Sequence, residues 1–148
     1  MKQVLIQSKN FGLAIKKIRE SKGKEIIFSS DNDELNRKVM EKEPIDTLLI
    51  NQRNRKDRMK QRDSGFNQVL AKIAKKKNIS IGIDFDELMV SRGKSKSEIL
   101  GRINQNVMLC NKNKLKMVFI SRAEKDSHDL KALGAVLGMP TWMLKWKT

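Results

Sequence analysis

The residues best suited to bind a ligand lie between Arg53 and Lys77, where ten lysines and arginines accompany only two acids, Asp57 and Asp63. Ten basic residues less two acids give this segment +8 of the chain's net charge of +15. Guanidinium groups make paired hydrogen bonds to phosphate oxygens, and lysines act toward them as point charges. The segment therefore favours a polyanionic partner, nucleic acid before any other.

Eleven cations are the candidate RNA-binding residues. Six belong to one loop and five lie at or beyond the following helix: Arg53, Arg55, Lys56, Arg58, Lys60 and Arg62, then Lys72, Arg92, Lys94, Lys96 and Arg122. Tyrosine is absent and aromatic residues total 5%, so few rings could stack on RNA bases. We therefore expect recognition of the RNA backbone and its shape. An anionic membrane is a weaker alternative, since no long basic helix carries an apolar aromatic face. A second alternative is that the lysines only form a solvated surface that binds no partner.

Residues suited to catalysis or metal binding are sparse. His128 is the single histidine and is expected at the surface, while the single cysteine, Cys110, is expected to be partly buried. Asp84 and Asp86 could hold Mg²⁺ or act as an acid/base pair, although Asp86 could instead cap the turn that follows. We predict no catalytic residue and no metal site in the chain itself. One cysteine also fits a reducing cytoplasm.

Short apolar runs alternate with amphipathic helical patterns along all 148 residues, which we interpret as one domain. Strands are predicted at 4–6, 25–28, 45–50, 79–83 and 116–120, with a helix after each. The runs are continuously apolar, which favours an α/β fold with a parallel sheet buried on both faces. Polar residues end every strand. In parallel α/β folds these ends share one edge, and the basic loop would stand there.

Helix starts are predicted from capping residues. Asp31 or Asp33 is expected to cap the second helix, and Asp63 or Ser64 the third. Residues 87–93 are expected to form a turn or loop, with a longer helix beginning at Ser97. The tripeptide 63–65 could also offer amides to a phosphate, but a plain cap is the favoured role.

The segment around the third helix carries a family resemblance. Residues 62–74, RDSGFNQVLAKIA, and residues 77–83, KNISIGI, resemble the ribonuclease P protein component 3 family of archaea. The motif residues are Asp63, Ser64, Gly65 and Asn67, and Gln68 stands where the family usually has histidine. Residues 98–110, 117–121 and 129–130 fit as well, so the resemblance covers roughly residues 45–139.

The resemblance implies a TIM-barrel-like fold and an accessory, non-catalytic role in ribonuclease P, an RNA enzyme that removes the 5′ leader from precursor tRNA. Implied partners are ribonuclease P RNA, precursor tRNA in the holoenzyme and a small α/β protein subunit, with a second copy of the chain through a heterotetramer. No cofactor is implied other than Mg²⁺ held by the RNA. A cytoplasmic location is expected.

The chain departs from that family in its number of strands, since five βα units are visible where a closed barrel has about eight. Matching the basic loop to the family motif places residues 4–6 near the barrel's third strand, as in a shortened member. We therefore expect an open or partial barrel whose edge is covered by a partner or a second copy. Two rival functions are a divergent phosphoesterase or nuclease using Asp84 and Asp86, and a general ribosomal-type RNA-binding protein.

Overall fold

The computed structural model describes residues 2–57, 59 and 62–144. These residues contain five strands and six α-helices, in the order β1 Gln3–Gln7, α1 Phe11–Glu20, β2 Glu25–Ser29, α2 Asp33–Lys42, β3 Thr47–Leu49, α3 Gln68–Lys77, β4 Ser80–Asp84, α4 Phe85–Val90, α5 Gly93–Asn113, β5 Met117–Ile120 and α6 Ser127–Val136. A short 3₁₀ helix, Thr141–Leu144, follows. The five predicted strands are all present, with ends shifted by one or two residues.

All five strands are parallel and lie in sequence order, β1 to β5, in one open sheet. Parallel neighbours joined by right-handed crossovers carry their connecting helices on the same face. The predicted open, TIM-barrel-like arrangement of βα units is thus confirmed.

The core lies between the sheet and the helices. Ile26 and Phe28 belong to a buried cluster that they share with helix residues such as Val39 and Ile103. Ile27, which points the other way along β2, is also only 3% exposed. Burial of both faces explains why these strands are continuously apolar.

On the face away from the helices, side chains of both neighbouring strands crowd around Gly82 in β4. A Cβ atom there would lie 3.2 Å from side-chain atoms of Thr47, Leu49 and Ile120, which come from the two neighbouring strands. These side chains close over the position that glycine leaves free. Gly82 therefore lets the sheet bend as a segment of a barrel wall does.

Two predicted helix starts were wrong, and one helix was not predicted. Asn32, between the two aspartates, caps α2 by accepting hydrogen bonds from the amides of Glu34 and Leu35. Residues 85–90 form α4, which Asp84 caps through the amide of Glu87. Helix α5 begins at Gly93, four residues before the predicted Ser97.

The start of α3 was also placed too early. The helix begins at Gln68 and Asn67 is its cap, accepting a hydrogen bond from the amide of Leu70. Gly65 has a φ of +75°, outside the helical region, and Phe66 is buried in the core. Residues 63–66 therefore belong to the loop.

Candidate RNA interface

The long loop between β3 and α3, residues 50–67, stands at the edge of the sheet where the strands end. Asn51 begins it by donating a hydrogen bond to Oγ of Ser29, at the end of the neighbouring strand β2 (3.3 Å). At this edge β4 and β5 also end, in Asp84 and Ile120, which pair with each other. The basic loop thus lies on the predicted strand-end edge.

A buried carboxylate holds the beginning of the loop. Glu87 of α4 is 6% exposed, and its two oxygens both accept the Gln52 amide at 3.0 Å. The Arg53 amide donates to the same carboxylate. Burial raises the pKa of Glu87 above its usual range, although the two backbone amides act in the opposite direction. Two backbone amides of the loop thus donate to one buried carboxyl group.

A buried arginine holds the middle of the loop from the other side. The Arg102 side chain, on α5, is 3% exposed. Its guanidinium donates to the Gln52 carbonyl at 3.1 Å, to the Arg55 carbonyl at 2.8 Å and to Asp57 Oδ1 at 2.9 Å. Burial acts to raise the pKa of Asp57, but hydrogen bonds from Asp63 N and Arg102 outweigh it and lower that pKa. These three hydrogen bonds of Arg102 thus each fix a part of the loop, and among the described residues its other charged neighbour is Glu98 of the same helix, at 3.9 Å.

The family motif holds the end of the loop. Ser64 is 1% exposed, donates a 2.6 Å hydrogen bond to Asn106 Oδ1 of α5, and accepts one at its carbonyl from the Gln52 side chain at 3.0 Å. Gly65 follows, and a Cβ atom there would lie 2.5 Å from Nη2 of Arg55. The motif therefore ties the loop to α5 and leaves room for an arginine.

Arg55, one of the candidate cations, is committed to protein contacts. It makes a bidentate pair with Asp33 at 2.8 and 3.0 Å, and its Nε donates to the Asn51 carbonyl at 2.7 Å. Its side chain is 14% exposed. A contact of Arg55 with RNA stays a prediction, but its guanidinium already braces the loop against α2.

Three candidate cations of the loop are exposed: Arg53, Lys56 and Arg62. Arg53 and Lys56 border an open depression of about 420 Å³ together with Asn54. Arg62 lies across Gly101 of α5, where any Cβ atom would collide with its guanidinium. Arg58 and Lys60 lie outside the described residues.

The remaining candidates are spread over three other elements. Lys72 is exposed on α3, Arg92 and Lys94 are exposed at the start of α5, and Lys96 is half-buried there. Lys94 lies 4.0 Å from Glu98, an exposed pair that contributes little. Arg122 is exposed after β5, and its amide donates to Asp86.

The two aspartates considered for metal chemistry have structural partners. Asp84 caps α4, and Asp86 accepts hydrogen bonds from Ser121 Oγ at 3.0 Å and from the Arg122 amide at 2.9 Å. The Arg122 amide is the main cause that lowers the pKa of Asp86. Within residues 2–57, 59 and 62–144, no three His, Cys, Asp or Glu side chains are grouped so that they could hold a metal ion.

The other two reactive residues lie apart from the loop. His128 is exposed in the first turn of α6. Cys110 is fully buried in α5, where burial raises the pKa of its thiol to about 12, so the expectation of partial burial understated it. Among the helices described, none is long and apolar enough to cross a bilayer.

The sequence interpretation missed the residues that hold the loop, above all Arg102 and Glu87. One signal was present for Arg102: it falls on the same helical face as Ile99, Ile103 and Asn106, all at most 3% exposed. A single arginine on the apolar face of a helix indicates a buried, paired cation. Glu87 carried no comparable signal, because α4 itself was not predicted.

Comparison with known proteins points to one family. No family model matches the chain. It is 29% identical to ribonuclease P protein component 3 of Methanococcus maripaludis strain C7 over 125 residues, which are 84% of this chain and 50% of the relative. The protein of that name from Methanococcus vannielii is 29% identical over 115 residues, covering 77% and 47%. The chain spans about half the length of the curated relatives it matches.

The fold matches a solved structure as well. A chain in the cryo-EM structure of archaeal ribonuclease P with mature tRNA superimposes with a TM-score of 0.79 at 24% identity, covering 95% of this chain and 62% of that chain. The resemblance found in residues 62–83 is thus confirmed. The chain is similar in sequence to ribonuclease P protein component 3, and its fold is that of a chain in archaeal ribonuclease P.

Proposed function

We propose that this chain is a non-catalytic, RNA-binding protein subunit of ribonuclease P that supports the catalytic RNA in removing the 5′ leader from precursor tRNA. The observation that carries the proposal is the loop at residues 50–67. It presents exposed Arg53, Lys56 and Arg62 while buried partners fix its backbone. The similarity to ribonuclease P protein component 3 supplies the identity of the RNA.

The described part of the loop is suited to phosphate recognition because contacts within the protein hold it in place. Glu87, Arg102 and Ser64 hold its backbone at three separate places. A binding surface that is already ordered loses less conformational entropy on association. The exposed guanidiniums can then contact phosphates, and each phosphate neutralised should add about 0.7 to 0.9 to the salt slope.

The proposed partners are ribonuclease P RNA, precursor tRNA in the assembled enzyme, and a small α/β protein subunit, with two such protein pairs joined in a heterotetramer. Mg²⁺ would act with the RNA, and the chain itself would need no cofactor. The candidate contacts include Arg92, Lys94, Lys96 and Arg122 on the elements beside the loop, and Lys72 on α3.

Reconstitution tests the proposal. Ribonuclease P RNA is assayed for cleavage of precursor tRNA at low Mg²⁺, with and without the chain and its small protein partner. We expect the chain to raise the cleavage rate, and a loop variant, Arg53→Gln with Lys56→Gln and Arg62→Gln, to lose most of that gain. The α1 variant, Lys9→Gln with Lys16→Gln and Lys22→Gln, removes the same charge from exposed positions on or beside α1.

Two outcomes would reassign the function. If the chain bound RNA but never stimulated the catalytic RNA, a general RNA-binding role would replace the proposed one. If the purified chain cleaved precursor tRNA alone and Asp84→Asn abolished that cleavage, the chain would be a nuclease.

A further inference from the structure

Two neighbouring turns at the opposite edge of the sheet have the same conformation. They connect α3 to β4 and α5 to β5, and each contains one residue in the left-handed region, Asn78 (φ 56°) and Lys114 (φ 58°). The amides of Ile79 and Leu115 then return to the ends of their helices through equal 2.8 Å hydrogen bonds. Because β4 and β5 are paired, the two turns lie side by side.

These turns gather six exposed lysines, which we call the amino-edge cluster: Lys75, Lys76, Lys77, Lys112, Lys114 and Lys116. A 3.1 Å hydrogen bond from Lys75 Nζ to the Lys114 carbonyl joins the two turns directly. Residues 64–83 and 99–123, which contain the cluster, include no aspartate or glutamate. The cluster is therefore a single positive surface shared by two elements.

Nearby carboxylates do not neutralise the cluster. Asp46 and Glu43, in the next turn along the sheet, are the acids that border the groove beside Lys77. Asp46 directs Oδ2 to the Ile26 amide at 2.7 Å, and Glu43 is only 8% exposed. Among the described residues, no carboxylate forms an ion pair with any of the six lysines.

Lys114 occupies a position that lysine seldom takes. Helices usually place glycine or asparagine at a left-handed C-terminal position, and the equivalent turn after α3 uses Asn78. Lysine there is conformationally unfavourable, yet its ammonium is held at the surface, 5.5 Å from the centre of the Trp142 ring. A charged side chain kept at a strained position is a reason to look for a function.

We propose that the amino-edge cluster is a second RNA-binding surface that contacts the phosphate backbone of a duplex. Ammonium groups recognise phosphates without base readout, and the two turns place several of them along one edge. The inference deepens the proposed function and rests on it, because it assigns the same RNA a second contact.

The two basic surfaces lie at opposite ends of the strands. Strand β4 has 5 residues and spans about 17 Å, with the loop at residues 50–67 beyond its end and the amino-edge cluster before its beginning. Surfaces that lie at opposite ends of a sheet face different RNA segments. The chain would therefore bridge two RNA helices.

Salt-dependent binding to one short RNA duplex tests the second surface. The amino-edge variant, Lys76→Gln with Lys77→Gln and Lys112→Gln, should lower the salt slope of the affinity by about 2 to 3. The α1 variant, with the same change in net charge, should lower it by much less. Equal losses in the two variants would show that only net charge matters and would overturn the inference.

Bridging is measured with two duplexes that carry a donor and an acceptor dye. The unmodified chain should bring them together, whereas the loop variant and the amino-edge variant should each still bind one duplex without energy transfer. If the amino-edge variant kept full energy transfer, this inference would fail while the proposed function stood. If only the loop variant kept it, the proposed site at residues 50–67 would fail instead.

Lys114→Asn separates charge from stability. Asparagine suits the left-handed conformation, so the melting temperature should be unchanged or higher, while the salt slope should fall by about 0.8. Unchanged RNA binding in this variant would show that Lys114 is not part of the RNA-binding surface.

Discussion

Arg102 shows how a single buried side chain can organise the loop that is proposed to bind RNA. Its charge is buried, and its three hydrogen-bonding nitrogens all contact the loop at residues 52–57. A buried cation is tolerated only when its donors are satisfied. Here three hydrogen bonds to loop groups offset part of the cost of burying the charge.

Replacing Arg102 with methionine should therefore destabilise the protein. Two loop carbonyls would lose their donor, and the lost free energy of unfolding should be about 2 to 4 kcal/mol. Chemical denaturation measures this loss. Arg19→Met, at an exposed position on α1, is the control and should change stability by no more than about 0.5 kcal/mol. Similar values for the two variants would contradict the anchoring role.

The raised pKa of Glu87 predicts the direction in which the stability of the protein changes with pH. Its pKa in the folded protein lies above the ordinary value of 4.5, so the folded state holds its proton more tightly than the unfolded state does. The contribution of Glu87 to the free energy of unfolding is therefore fully present at low pH. That contribution is lost as the pH rises through the raised pKa.

The variant Glu87→Gln should therefore gain melting temperature relative to the unmodified chain as the pH rises above 4.5, the ordinary pKa of the group. Thermal melts across that range measure the difference. Glu20→Gln, an exposed control on α1, should follow the unmodified chain at a constant offset. A constant offset for Glu87→Gln as well would refute the assignment.

At the scale of elements, two glycines each lie against an arginine side chain. Substituting these two glycines with alanine should have opposite effects on the free energy of unfolding. Gly65 has a φ of +75° and lies against Arg55, so Gly65→Ala should cost about 1 to 2 kcal/mol. Gly101 lies within helix α5, where alanine is favoured by about 1 kcal/mol. Gly101→Ala should therefore stabilise the fold and displace only the flexible Arg62. Denaturation curves for both variants test this, and a stabilised Gly65→Ala would contradict it.

The elements also show what could be predicted from sequence and what could not. The strands were found because continuous apolar runs such as residues 26–28 are buried on both faces. The start of α3 was misplaced because Asp63 and Ser64 are residue types that often cap helices. The helix begins only at Gln68, because Gly65 has a non-helical φ and Phe66 is buried in the core. Local patterns report local hydrogen bonds, but the loop takes its shape from distant partners. Ser64 bonds Asn106, 42 residues away, and spacing alone could not reveal such a contact.

At the scale of the whole molecule, the sheet is open. Strand β1 pairs on one side with β2, and β5 pairs on one side with β4. Unpaired strand edges tend to recruit another chain. Leu5 on β1 is 39% exposed beside one of these edges.

We therefore expect the isolated chain to self-associate as its concentration rises, and Leu5→Lys to reduce that association. Light scattering over a concentration series provides the measurement. Leu13→Lys is the control, since Leu13 is 55% exposed and belongs to helix α1, not to the sheet. A monomeric, stable chain without RNA or partner would count against an edge that needs covering.

The buried hydrogen bonds of Arg102 also set the order in which the protein can mature. They join residues 45 to 50 positions apart, and α5 must be formed and docked before any of them exists. Closing such long loops is slow compared with forming a helix or a local turn. The surface proposed to meet RNA is therefore among the last parts of the chain to take shape. A newly made chain can therefore form these loop contacts only after α5 has been synthesised and has docked.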